Sequence, residues 1–400
     1  MQSDPAAHQS RAKALFEVLA VSTKLGVTSF GGPVAHLGYF HHEYIRRREW
    51  LDEQTYADLV ALCQFLPGPA SSQVGIGIGV LRAGPLGGLV AWLGFTLPSV
   101  VALVLFAFLL TGVEIGAAGW IHGLKIVAVA VVADAVLSMG RKLAPDRNRA
   151  TIAVVSAAVA LLWQTAYSQV VIIAVAGVLG WWLYADSAGA TARRIAVPIS
   201  RWAGGAALAA YVGLLLLLPL LRQATGNPWI AVFDSFYRPG SLVFGGGHVV
   251  LPLLEREVVP VGWVSREAFL AGYGAAQAVP GPLFTFAAYL GAVLGGIAGA
   301  AVALAGIFAP AFLLIMGALP FWNSLRANRK IQGALVGINA AVVGILLAAL
   351  YDPLWRSAIL VPVDFALAAI LFVMLVFWRM PPWLVVLVGA LGGTAVGLIG

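Results

Sequence analysis

The chain has 400 residues, 61% of them hydrophobic and 10% charged, with a mean hydropathy of +0.92. That balance excludes a string of soluble domains and points to an integral membrane protein. The formal charge of +7 comes from basic residues in short loops between apolar segments rather than on one face or tail. They read as determinants of topology, and no nucleic-acid partner is expected.

The uncharged intervals from Arg82 to Glu114 and from Glu267 to Arg326 exceed the roughly 20 apolar residues that one helical span needs. Ten-residue segments of alternating polarity, the mark of a β-barrel, are not visible, so the expected fold class is an all-α integral membrane protein. The N-terminus, "MQSDPAAHQSRAK", lacks the order of a cleaved signal, and the first apolar segment, about 12–32, is expected to stay as a span. A broken segment follows over 55–80, then spans at 84–112, 119–140, 150–163 and 168–184. A connecting span near 203–221 leads to a second set at 229–247, a broken 266–290, 291–319, 331–350, 362–378 and 381–399.

The chain repeats itself. "SFGGPVAHLGYFHHEYI" from Ser29 lies over "VFGGGHVVLPLLEREVV" from Val243, pairing Gly31 with Gly245, Gly32 with Gly246 and Glu43 with Glu257. After one deletion Trp50 pairs with Trp263, Gln64 with Gln277, Pro67 with Pro280, Gly68 with Gly281 and Pro69 with Pro282. Two homologous halves follow, residues 1–200 and residues 201–400, the second opening with the connecting span. Duplicated units of this kind are a recurring plan of secondary transporters.

Basic residues then orient the halves. The loop Arg141 to Arg149 and the linker with Arg193, Arg194 and Arg201 read as cytoplasmic, as does Arg326 to Lys330 in the second half, which makes the halves an inverted-topology repeat. Arg46 to Arg48 conflict with this if the first two segments cross fully. A re-entrant hairpin opening to the cytoplasm would remove the conflict.

The two "PGP" triplets carry the chemistry. Proline removes a backbone donor and clashes with the preceding turn, so each triplet ends one half-helix and lets another begin, near Ala70 with Ser71 and Ser72 and near Leu283 with Thr285. The exposed N–H groups and positive dipole end of each second half-helix suit an anion. A proline kink used only for packing is the bland alternative. The "FGG" runs interrupt helices or let backbones approach closely. His36 and His248, just beyond them, could bind an anion, carry a proton or hydrogen-bond a freed carbonyl.

Charges inside apolar segments are costly and mark function. Lys24 and Arg82 are candidates for neutralising a dianion, although Arg82 could instead snorkel to the headgroups. Lys125 and Asp134 are candidates for charge or proton coupling, or for pairing with each other. Glu43 and Glu257 either bound two gates or cap interfacial segments. Cys63 reads as packing, no metal or cofactor is implied, and no nucleotide, zinc-protease or triad signature occurs.

These residues carry a resemblance. "FGGPVAHLGYF", "RRREWLDEQTYADLVALCQFLPGP", "FGGGHVVLPLLEREVVP", "GWVSREAFLAGYGAAQAVPGPLFTFAAYLGA" and "ALPFW" resemble the paired signatures of the chromate ion transporter family in its long, two-half form. The resemblance implies a multi-pass protein of the bacterial cytoplasmic (inner) membrane that exports chromate and confers resistance to it, with sulfate as chemical relative. Its motif positions fall on Gly31, Gly32, His36, Gln64, Pro67, Gly68, Pro69 and Arg82, and on Gly245, Gly246, His248, Gln277, Pro280, Gly281, Pro282 and Thr285. "PGPASSQ" departs from the family where a threonine is expected, and Ser71 and Ser72 still offer hydroxyls. The partners implied are the anion and the lipid bilayer, with a homodimer left open. The physical reading is alternating access, the two repeats rocking around a midplane oxyanion site.

Overall fold

The computed structural model describes residues 5–30, 32–110, 119–163, 168–184, 198–244, 249–322 and 329–399. Among these there are helices and turns and no strand. The first half runs α1 (Pro5–Thr28), α2 (Gly32–Phe40, continued by a π turn at His41–Arg47), α3 (Glu53–Phe65), α4 (Ala70–Leu110), α5 (Gly119–Leu143), α6 (Arg147–Leu162) and α7 (Ser168–Tyr184). Helix α8 (Arg201–Thr225) connects it to α9 (Pro228–Leu242), α10 (Val250–Val258), α11 (Arg266–Ala276), α12 (Phe286–Ala318), α13 (Arg329–Ala349), α14 (Pro362–Val376) and α15 (Pro382–Ile399). Five helical stretches among the described residues are long and apolar enough to cross a membrane.

Local chemistry sets the boundaries. Asp52 accepts the Thr55 amide at 2.9 Å and starts α3, while Ser265, its repeat equivalent, accepts the Ala268 amide at 3.1 Å and starts α11. Asn227 caps α9 with Pro228 in the first turn, where its missing N–H costs nothing. Helices α2 and α10 were not expected as helices. Each is short, and their apolar runs are interrupted by the Glu43 and Glu257 regions that hydropathy averages away.

Both triplets are tips of helical hairpins. Leu59 on α3 lies against Gly77 on α4, so closely that a side-chain carbon at Gly77 would come within 2.7 Å of it. The two residues are nearly equidistant from Gly68, whereas along one straight helix they would be about 27 Å apart. Tyr289 lies against Gly272 in the same way about Gly281, and its hydroxyl donates to the Ala268 carbonyl at 2.8 Å. Helix α4 then reverses again at Ala83 (φ −139°, ψ 17°) and Gly84 (φ 74°, ψ −169°), which brings Gly79 against Gly87. Helix α12 repeats this at Gly295 and Gly296, bringing Gly291 against Gly299. The glycines of "GIGIGV" in α4 are packing positions, Gly75 against Phe40, Gly77 against Leu59 and Gly79 against Gly87. With the hairpin folded back, Arg46, Arg47 and Arg48 sit at the same end as Arg82 and Glu17.

The packing divides the chain into two bodies that cut across the repeats. One holds α1 against α4, α9 against α12, and α4 against α12, with α8 alongside. In the other, α5 packs on α14 and α15 of the second half, while α13 packs on α6 and α7 of the first. These seams are antiparallel. Gly119 meets Gly393 and Gly123 meets Gly389 on α5 and α15, and Gly177 meets Ile338 while Gly180 meets Gly333 on α7 and α13. Helix–helix contact through small residues replaces the hydrophobic driving force that lipid removes.

Gly123→Leu is expected to part the α5–α15 seam and lower the melting temperature in detergent, at a cost of about 1–3 kcal/mol. Gly205→Ala, on exposed α8 with open space around it, should be neutral or mildly stabilising in the same melt.

Candidate functional site

Each hairpin tip is anchored on the other half of the chain. Leu66 is extended (ψ 147°), as a residue before proline must be, and its amide makes the last α3 bond to Leu62. Within each triplet only the glycine can donate. The Gly68 N–H donates to the Val243 carbonyl at 2.6 Å, and the Gly281 N–H donates to the Ser29 carbonyl at 3.0 Å. Val243 and Ser29 are repeat equivalents at the ends of α9 and α1, so each tip is tied to the helix end of the other half. Both glycines hold positive φ, +117° and +98°, where a side chain is strained. A side-chain carbon at Gly281 would also come 2.9 Å from Ser99 Oγ.

Helix α4 begins at Ala70, as expected, with Ser71 and Ser72 in its first turn, whose amides have no intrahelical acceptor. Gln73 Nε2 donates to the Pro67 carbonyl at 2.8 Å and closes that tip. In the other, Thr285 Oγ1 donates to the Pro282 carbonyl at 2.8 Å, and a 3-10 turn at Leu283–Thr285 precedes α12. His36, Ser71 and Ser72 lie at the first tip and Ser29 and Ser99 at the second, with Thr96 three residues before Ser99, all buried. His36 Nδ1 is 3.3 Å from Ser71 Oγ, and the ring packs on Phe40 and Phe95. Ser29 Oγ, His36 Nε2, Ser72 Oγ, Gln73 Oε1, Thr96 Oγ1 and Gln277 Nε2 have no hydrogen-bond partner. Buried polar atoms are normally paired, so such a concentration of unpaired ones marks a place built for another group.

Two cavities flank the tips and share Pro33. One, of about 90 Å³, is lined by Gly32, Asp134, Gln277 and Gly281. The other, of about 280 Å³, is lined by Gln64, Gly68, Ser138, Lys142 and Asn339. The smaller has room for a few waters or one small oxyanion. Pro67, Pro69, Pro280 and Pro282 shape the tips without donating. Gly31, Gly245, Gly246 and His248 lie outside the described residues.

The charges are distributed differently from the sequence expectation. Lys24 does not face the tips: its Nζ is 2.8 Å from Glu43, which also receives Arg47 at 3.2 Å and Arg48 at 3.0 Å. The second half reproduces this, with Arg238 at 2.9 Å from Glu257. Lys24 and Arg238 are repeat equivalents, 214 residues apart like Ser29 and Val243, although the two side chains differ. Arg82 is bound to Glu17 at 3.2 Å and stacks over Trp50, about 20 Å along its helical arm from the first triplet. Arg222, on the connecting helix, takes the matching place over Trp263. Lys125 and Asp134 do not pair, and Asp134 has no ion-pair partner among the described residues. Ser99, Thr96 and Gln73 were missed, because lone polar residues in apolar helices give no pattern. Among the described residues no cluster of His, Cys, Asp and Glu is arranged to hold a metal.

The profile of the chromate transporter family matches residues 16–181 and 230–394, one match on each half. The chain belongs to the chromate transporter family. Similar proteins include a chromate transport protein of Pseudomonas aeruginosa, 29% identical over 84% of this chain and 80% of that protein. A chromate transport protein of Cupriavidus metallidurans is 27% identical over 89% of this chain and 86% of that one. An uncharacterized transporter of Bacillus subtilis is 33% identical over 30% of this chain and 62% of its own length, which makes it about half as long. No solved structure matches.

In this member of the chromate transporter family Glu43 holds three cations while only 4% exposed itself. Glu43→Gln is expected to cost about 3 kcal/mol, read as a lower melting temperature of the purified protein in lipid nanodiscs.

Proposed function

We propose that the protein is a secondary active transporter that exports chromate across the bacterial cytoplasmic membrane and so confers chromate resistance. The observation that carries this reading is the pair of cross-tied hairpin tips, surrounded by unpaired buried polar atoms and flanked by cavities. Chromate is a tetrahedral dianion. Backbone N–H groups at a helix start, serine and threonine hydroxyls and a glutamine amide recognise it by charge and shape. Sulfate, of the same shape and charge, would compete. The proposed site comprises Gly32, His36, Gln64, Gly68, Ser71, Ser72, Gln277, Gly281 and Thr285, with the flanking prolines as its frame.

The inverted arrangement of the halves is supported by the seams. Helices α5 and α7 are separated by one span and run the same way. Parallel halves would therefore give α15, the counterpart of α7, the direction of α5. The two instead lie antiparallel. The end of α5 that carries Arg141 and Lys142 is then cytoplasmic, together with Arg46 to Arg48.

Alternating access is supported by an asymmetry between the two hairpins. Helix α11 is packed on α5, with Gly274 tight against Leu124, whereas its counterpart α3 does not pack on α13 in the same way and the larger cavity lies there. Exchange of these two arrangements would close the cytoplasmic cavity and open its counterpart on the other side. Asp134, unpaired beside Gln277 and Gly281, is the carboxylate placed to take up a proton as the anion passes. Lys24, Glu43 and Glu257 act in ion pairs that hold α1 to α2 and α9 to α10.

Gln277→Ala is expected to lower chromate flux into inverted vesicles by about 10- to 100-fold below saturation, the loss typical of one hydrogen bond to a charged ligand. Unchanged flux at equal protein level would refute the site. Cysteines placed singly at Ala144 and Ala327 should both react with an impermeant thiol reagent from the cytoplasmic side only. Reaction of one from each side would mean parallel halves.

A further inference from the structure

The larger cavity holds groups that neither the family resemblance nor the repeat brings to notice. Asp134, Ser138 and Lys142 stand at i, i+4 and i+8 on α5 and so share one face of that helix. Asp134 lines the small cavity, and Ser138 and Lys142 line the larger one, so a single helical face runs past both tips to the cytoplasmic end. Asn339 enters the larger cavity from α13, and Gln64 from the end of α3.

The chemistry of this cavity is one-sided. Lys142 is the only charged side chain in its lining and has no carboxylate partner among the described residues. The nearest carboxylate in sequence, Asp146, is engaged by Arg149 and caps α6. The Gln64 and Asn339 amides hydrogen-bond to no other described side chain. Ser138 donates to the Ala135 carbonyl at 3.1 Å, so the free donors are the ammonium and the two amides. Gln64, Ser138 and Lys142 are exposed, as expected of a vestibule open to water. In the small cavity the only charged side chain among the described residues is Asp134, the carboxylate assigned above to take up a proton.

We infer that Lys142 and Asn339 make the larger cavity, which adjoins the proposed site at Gln64 and Gly68, a loading site for a tetrahedral oxyanion entering from the cytoplasm, occupied before the anion reaches the tips. The inference rests on the oxyanion-transport reading proposed above. Gln64 has its counterpart in Gln277 at the small cavity, but nothing in that cavity's described lining matches Lys142 or Asn339, and its charged side chain is Asp134 instead. The site therefore acts in one direction of transport.

The test is initial-rate chromate uptake over a range of concentrations in two vesicle orientations. With the cytoplasmic face outward, Lys142→Gln is expected to raise KM about tenfold, the change falling on KM rather than on Vmax, and the effect should shrink as ionic strength rises. Asn339→Ala should raise KM in the same direction, and Lys142→Arg should restore it. With the opposite face outward, the KM of counterflow should be the same in Lys142→Gln and in the parent. Equal KM values for the parent and Lys142→Gln in the first orientation, at equal protein level, would overturn the loading site while leaving the transporter reading intact. A parent protein that moves no chromate in either orientation would overturn that reading itself. Lys142 is exposed near the end of α5, so its replacement leaves the fold in place, and a normal melting temperature is the check.

Discussion

Two backbone hydrogen bonds govern this architecture. Each proline–glycine–proline tip has one N–H to place, in surroundings where an unpaired one costs several kcal/mol. Each "FGG" run frees a helix-end carbonyl in the same surroundings. The tip of one half gives its N–H to the helix end of the other, Gly68 to Val243 and Gly281 to Ser29. Four interruptions that would each be unfavourable alone become mutually satisfied when the halves come together. What remains unsatisfied includes hydroxyls, an imidazole nitrogen and the Gln277 amide nitrogen, groups able to donate to a tetrahedral dianion.

The positions of these interruptions were legible in the sequence because glycine and proline restrict the backbone in ways that no tertiary contact overrides. Ala70 as a helix start, the repeat pairing and the reversal before residue 84 all follow from them. The direction of the arms was not legible. Two arms of 13 residues sum to about the length of one span, and hydropathy measures length without direction. Only the contact of Leu59 with Gly77 makes the hairpin plain. The arginines at 46 to 48 did carry that information, as a conflict with straight crossing.

The candidate site was legible in its backbone and less so in its side chains. Gln64 and Gln277 were marked by recurring three residues before each triplet. Ser99, Thr96 and Gln73 reach the tips from within apolar helices, where one hydroxyl or amide reads as noise. Lys24 was misread because an intramembrane lysine looks unpaired until its partner is seen. That partner, Glu43, lies on a short helix that only the folded chain brings alongside. Asp134 and Lys142 stand in only one half, so a repeat comparison is blind to them by construction.

The exchange of partners between α5 and α13 has a mechanical consequence. Since α5 is clasped by α14 and α15, and α13 by α6 and α7, neither half can turn as a unit without tearing both seams. The parts free to slide are the hairpin assembly and the six-helix scaffold beside it. The chain passes between those two parts at three places, after α4, after α7 and after α12. Any stroke that carries an anion must bend there, and the repeats themselves stay interlocked throughout.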